Sequence, residues 1–196
     1  MPVARKARIT ASASEQERTI LIAAAAEFTA VGLRQANMDE VARAADISRS
    51  TLYRRFPNKE SLFRAVAVDT FETGLAALED AVAGLPPGEA VVEAFALGAE
   101  MIESQPLLRR VVLEDRSVRE VTGGVGSLFI EMVTARIAAT LRAAGATMPD
   151  DSLLEAVEIH VRLVISYLDV PASDPERRTP DSVRRMARCH LAPMIH

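Results

Sequence analysis

Apolar residues recur every three or four positions along nearly the whole chain, interrupted by short polar, glycine or proline stretches. Ile20, Ala24, Phe28 and Val31 put one apolar face on a first helix over 15–31, which Gly32 stops. Met38, Val41, Ala42 and Ala45 do the same for a short second helix, capped by Asn37, with Asp39 and Glu40 in its first turn. It ends at Asp46. Ser48 caps a third helix, Arg49 to Arg55, with Ile47 packing back as a staple. Leu52 and Phe56 face the second helix, and Arg49, Ser50, Tyr53 and Arg54 point outward. The break of about three residues is that of a helix-turn-helix. Pro57 cannot continue the third helix, and Asn58 caps a fourth.

The fourth helix carries Leu62, Phe63, Val66, Thr70, Thr73, Ala77 and Leu78 and runs to about Ala83, roughly 39 Å. Gly84, Pro86, Pro87 and Gly88 end it. A fifth helix, Pro87 to Ser104, turns Val91, Phe95 and Ile102 inward, and Pro106 marks the next break. The stretch 107–121 is shorter and mixed, and Gly123, Gly124 and Gly126 form a joint that lacks the Lys-Ser/Thr ending and preceding strand of a phosphate loop. Phe129, Met132, Val133, Ile137 and Leu141 mark a seventh helix over 125–144, and a broad stripe from Leu153 to Leu168 marks an eighth over 150–170. After a polar linker, Thr179 caps a last helix with Pro180 at its first position. The pattern predicts an all-α protein of about nine helices, with a three-helix helix-turn-helix domain over 1–57, a mobile arm over 1–14 that groups Arg5, Lys6 and Arg8, and a helical domain over 58–196.

Composition narrows the chemistry. Aromatic residues are only 4% and tryptophan is absent, so the core must be mainly Ala, Leu, Val and Ile. One cysteine, Cys189, excludes an internal disulfide and any cysteine cluster for a metal. With three histidines, and no Ser-His-Asp order, paired carboxylates, His-Glu-x-x-His or phosphate loop, the sequence points away from an enzyme and implies neither metal nor cofactor. No apolar run reaches the roughly 18 residues of a membrane helix, and MPVARKARITASASEQER lacks a signal-peptide core, so the cytoplasm is the expected compartment. Net charge is −4, but residues 1–59 carry ten Lys and Arg against six Asp and Glu, and residues 60–196 carry 13 against 21. A basic end on an acidic body directs that end toward DNA.

The outward face of the third helix suits a major groove: Arg donates twice to a guanine edge, Ser and Thr adapt to several edges, and Tyr reaches a phosphate. The candidate DNA-contacting residues are Asn37, Met38, Arg49, Ser50, Thr51, Tyr53, Arg54 and Lys59, the last beside a helix N-terminus that favours phosphate. A helical bundle with a solvated charged face accounts for the arginines but not for the exposed Tyr53 or the double cap.

MDEVARAADISRSTLYRRFPNKESLF resembles the N-terminal motif of the tetracycline-repressor (TetR) family of bacterial transcription regulators, I-A-x-x-A-G-V-S-x-G-x-L-Y-x-H-F-x-S-K-E-x-L. Val41, Ala42, Ala45, Ile47, Ser48, Thr51, Leu52, Tyr53, Phe56, Lys59, Glu60 and Leu62 carry the match. Asp46, Ser50, Arg55 and Asn58 depart from the common Gly, Gly, His and Ser; Asp tolerates a left-handed turn and Asn caps as Ser does, whereas Ser50 and Arg55 bear on which bases or phosphates are touched. The resemblance implies a ligand-responsive regulator, a repressor released from operator DNA by a small molecule. It implies a pocket between helices four to eight, for which the larger side chains Phe95, Met101, Val112, Leu113, Phe129, Met132 and Tyr167 are candidates. Several methionines in an acidic body suggest an apolar or cationic ligand. It also implies a homodimer through the last two helices, with Leu154, Val157, His160, Val161, Val164, Ile165, Val183, Met186 and Leu191 as candidate interface residues. A two-fold dimer reads half-sites about 34 to 36 Å apart. The rival reading is a helical dimerising module without DNA binding.

Overall fold

A computed structural model of the chain describes residues 13–110, 112 and 125–196. The arm with Arg5, Lys6 and Arg8, the candidate pocket residue Leu113, most of the mixed stretch 107–121, and Gly123 and Gly124 lie outside the described residues. The described residues form nine α-helices and no strand. They are α1 (Ala13–Gln35), α2 (Met38–Ala44), α3 (Arg49–Arg55), α4 (Lys59–Val82), α5 (Pro87–Ser104), α6 (Pro106–Arg109), α7 (Val125–Ala143), α8 (Asp150–Asp169) and α9 (Pro180–Met186). A π turn, Ala187–Leu191, and a 3-10 turn, Ala192–Met194, prolong α9.

The chain divides into two compact units inside α4, one reaching Val66 and the other starting at Ala67. In the first unit Ile20, Ala24, Phe28, Met38, Val41, Leu52 and Phe56 bury one continuous core. The first turns of α4 add Leu62, Phe63 and Val66, and the Phe63 ring meets Phe28 edge-on at 5.1 Å. This is why the unit extends beyond Pro57. Gly32 does not simply end α1: at φ 75°, ψ 166° it turns the chain, and a short stretch to Gln35 follows. As a result Leu33 is buried while Val31 stays exposed, so the inward face follows the turn rather than the straight helix that the spacing of Val31 suggests.

Helices α2 and α3 are joined as their caps require. Asn37 Oδ1 accepts from the amide of Asp39 at 2.8 Å, and Ser48 Oγ accepts from that of Thr51 at 3.1 Å. At the end of α2 the Ile47 amide donates to Ala42 O at 3.0 Å and the Asp46 amide to Arg43 O at 3.1 Å. This is a Schellman turn, with Asp46 in the left-handed position at φ 52°.

In the second unit α5 packs against α7, α8 and α9. The Phe71 and Phe129 rings sit 4.7 Å apart. Arg136 on α7 holds α4 through Glu79, at 2.6 and 2.9 Å, and through Glu72 at 3.0 Å. Its hydrogen bonds hold the Glu79 carboxyl below its ordinary range. Arg184 reaches Glu93 at 3.0 Å, and Arg188 reaches Glu89 at 3.0 Å, joining α9 and its extension to α5. Among the described residues, Thr134 and His160 are the polar side chains buried in this core, and Thr134 Oγ1 and His160 Nε2 have no hydrogen-bond partner. Burial pushes the His160 imidazole down to about 4, because the charged form loses its water.

Two outcomes follow from these local energies. Asp46→Gly is expected to stabilise the protein by about 0.5–1 kcal/mol, by removing a Cβ from the left-handed position and a negative charge from a helix C-terminus; Asp46→Val should cost about 1–2 kcal/mol, both read by urea denaturation. The unfolded chain binds a proton at His160 near pH 6.5 and the folded one only near 4, so stability is full above 6.5 and falls as pH drops toward 4. The loss is about 3 kcal/mol at most, and His160→Leu should remove that part of the stability–pH slope.

Candidate nucleic-acid interface and cavity

The third helix presents a small polar face whose parts are held by neighbours. Arg49, at its first position, is 69% exposed and pairs with Asp39 of α2. Asp39 offers Oδ2 to this pair, while its buried Oδ1 has no partner among the described residues. The hydroxyl of Ser48 links to Ser50 at 3.0 Å and to Thr51 at 2.8 Å, so one cap orients both. Tyr53 is 43% exposed, and Arg54 lies beside it at the surface. An exposed phenol, two guanidinium groups and two hydroxyls on two turns of helix can meet phosphates and base edges together.

The remaining candidates stand differently. Asn37 is exposed, but its side chain is engaged in capping α2 and its amide donates to Glu27 Oε1 at 3.0 Å. Met38 is buried, so its side chain is not presented at the surface. Lys59 Nζ donates to Arg34 O at 2.8 Å and Ala36 O at 3.3 Å, satisfying carbonyls where α1 ends. Arg55 is braced against α1 through Glu17 at 3.1 Å and Gln16 at 3.2 Å. The roles of Asp39 and Arg55 as supports were missed by spacing. The opposite charges at Asp39 and Arg49, on the facing starts of two short helices, were the available signal.

The second unit contains a cavity with about 770 Å3 of empty space, its mouth included. Its walls come from α4, α5, α6, α7 and α8. Of the candidate pocket residues, Phe95, Met101 and Phe129 line it. Val112 is buried in the surrounding core, Met132 packs against that core half-buried, and the Tyr167 hydroxyl donates to Arg177 O. Sequence spacing did not single out the wall that α4 supplies, Thr70, Phe71, Gly74, Leu75 and Leu78. Among the described lining residues only Thr70 and His160 carry a side-chain nitrogen or oxygen, and none is charged.

Of the candidate interface residues, Val157, His160, Val161, Val164, Val183 and Leu191 are buried within the protomer's own core. Ile165 and Met186 are half-buried, and Leu154 is exposed. The strongest apolar stripe of α8 faces its own unit, because periodicity marks a face to be covered without saying which surface covers it. Ile159 and Leu163 lie on the opposite side of α8, at 45% and 37% exposure, and Val170, just past its end, is 74% exposed.

Among the described residues no helix is long and apolar enough to cross a membrane, and no cluster of His, Cys, Asp and Glu is placed to hold a metal. None of the curated proteins matches the sequence. Solved structures do: AlkX, a TetR family repressor from a Dietzia species implicated in biodegradation of n-alkanes, superposes with a TM-score of 0.67 at 23% identity over 91% of this chain and 96% of its own. GusR of Salmonella enterica gives 0.64 at 19% identity, covering 94% and 99%. RolR in complex with resorcinol gives 0.59 at 20% identity, covering 93% and 88%. At such identities the likeness is one of fold. Family models are more specific: residues 20–66 match bacterial regulatory proteins of the tetR family, and residues 87–188, more than half of the chain, match the bacterial tetracyclin repressor C-terminal domain. With its capped helix-turn-helix and its apolar cavity, the chain belongs to the tetR family of bacterial regulatory proteins and is a ligand-responsive, DNA-binding transcriptional regulator.

Proposed function

We propose that the chain acts as a homodimeric repressor that leaves its operator when a small molecule enters the cavity of the second unit. The observation that carries this reading is α4. It begins at Lys59 in the helix-turn-helix unit, and its later turns, Thr70 to Leu78, form a cavity wall. A ligand that favours one placement of those turns biases the helix that carries Lys59, and a coupling of 1 to 3 kcal/mol changes DNA affinity roughly 5- to 150-fold. RolR, crystallised with resorcinol, is a fold relative that takes a small molecule. Arg49 reads bases and Tyr53 anchors to phosphate in this reading, with Ser50, Thr51 and Arg54 adapting beside them. Asp39 competes with DNA for the Arg49 guanidinium, so it sets how readily that group turns to a guanine.

The dimer face we propose is the outward side of α8 around Ile159 and Leu163, continued by Val170 at its end, together with α9. Apolar side chains repeated on one exposed stripe favour burial against a second copy. Two-fold pairing also supplies the second reading head that one seven-residue helix needs.

The reading is tested with DNA from upstream of its coding region. Binding should weaken steeply with salt, and a screen of small molecules should release it; no binding at low salt would overturn the reading. Arg49→Ala is expected to relax base preference in a randomised-site selection at a cost of about 1–3 kcal/mol on the preferred site. Tyr53→Ala should instead weaken all sequences alike. Ile159→Glu should yield monomers in sedimentation and lower operator affinity by roughly 100-fold, as two linked contacts become one. A dimer that persists would exclude this face.

A further inference from the structure

The cavity's lining is specific enough to say what kind of molecule belongs in it, an inference that rests on the ligand-responsive reading above. Three chemistries are open to an effector: anionic, cationic and neutral. An anion needs a guanidinium, an ammonium or a cluster of amides, and a cation needs a carboxylate or an aromatic cage. The described lining provides no charged side chain, and Glu72 and Glu79 on α4 are already bound to Arg136. Against this described wall a charged ligand would lose its water without a counter-charge. The cationic option that several methionines and an acidic body suggest would meet only the rings of Phe71, Phe95 and Phe129, with no carboxylate in the described wall, and ring faces alone repay less than a cation loses with its water.

A purely hydrocarbon ligand is the next option, and His160 argues against it. This residue lies on the cavity wall, is only 7% exposed, and keeps Nε2 without a hydrogen-bond partner among the described residues. An unsatisfied buried polar atom is costly, and a ligand that meets it recovers that cost on binding. The neutral imidazole has one donor and one acceptor nitrogen, which matches a hydroxyl group. The rest of the wall suits a flat or branched apolar body: Phe71, Phe95 and Phe129 supply ring faces and Met101 a flexible thioether. Two glycines make room. A Cβ at Gly98 would meet nothing within 4 Å, and one at Gly74 would meet only the Met101 methyl at 3.1 Å.

We propose that the cavity binds a neutral, predominantly apolar molecule carrying one hydroxyl, as a phenol or an alcohol, and that the imidazole of His160 is the group that selects for that hydroxyl. His160 acts as a specificity determinant, and the aromatic and methionine side chains provide most of the affinity. Gly98 keeps open the volume the apolar body fills.

The test uses the full-length protein without DNA and four matched probes: 2-naphthol, naphthalene, 2-naphthoate and 2-naphthylmethylammonium, followed by probe fluorescence and by the shift in melting temperature. The expected order places 2-naphthol about tenfold tighter than naphthalene, the effect of one buried hydrogen bond, with both charged probes weaker than naphthalene. In His160→Leu the advantage of 2-naphthol over naphthalene should fall to about twofold or less while naphthalene still binds. His160→Phe, closer in shape to imidazole, repeats the comparison should the leucine variant not fold. Gly98→Phe, with circular dichroism and melting unchanged, should lose all four. The proposal is overturned if 2-naphthol does not bind, if a charged probe binds as tightly, if the preference survives both His160 variants, or if Gly98→Phe binds normally. Addition of DNA separates the two readings. Probes that bind as described yet leave the DNA complex intact support this ligand chemistry and count against release by a ligand. Release by charged molecules alone, with no binding of 2-naphthol, does the reverse.

Discussion

Two helices of seven residues each are far too short to persist alone in water, so the whole recognition face depends on how α2 and α3 are held. The structure holds them from three directions. Asn37 and Ser48 satisfy the free amides at their starts, the Schellman turn through Asp46 joins them, and Leu52, wholly buried, fixes α3 against the first unit's core. Supports at the margin do the rest: Arg55 reaches back to α1, and Lys59 satisfies the carbonyls of Arg34 and Ala36. Because these groups are occupied in support, the side chains free to address DNA are few and sit on one short surface. Rigid presentation of few groups is what lets so small a helix discriminate between sequences.

The second unit answers a different demand. It must keep a stable helical core and still leave a space that a ligand can fill. The charged contacts lie at the edge of that core, where Arg136 joins α4 to α7 and Arg184 joins α9 to α5, and solvent-exposed pairs of this kind add direction more than stability. The interior is left almost wholly apolar. Among the described residues Thr134 and His160 are the exceptions, and the depressed proton affinity of His160 is the cost of placing an imidazole where water is scarce.

Much of this was legible in the chain itself. Periodicity and caps placed α5 from Pro87 to Ser104 and located the start of α9 at Pro180, because proline and threonine act locally. The recognition motif was equally legible, since Asn37, Ser48 and Asn58 each serve the nearest turn. Residues whose role depends on a distant partner were harder. Met38 belongs by sequence both to the apolar face of α2 and to the DNA candidates, and packing decides for the core. Val157, Val161 and Val164 mark a stripe that needs covering, and only packing shows that the protomer covers it itself, leaving Ile159, Leu163 and Val170 outside.

The sequence by itself determined most helices and their caps, the helix-turn-helix and the resemblance to the family, because capping, turn and periodicity are set by residues within a few positions of each other. Tertiary structure alone decided that Asp39 holds Arg49, which residues of α4 line the cavity, and that His160 Nε2 stands unpartnered among apolar side chains. These outcomes depend on which surfaces meet across long separations in the chain, and a repeating apolar pattern states how much surface must be buried without naming what buries it.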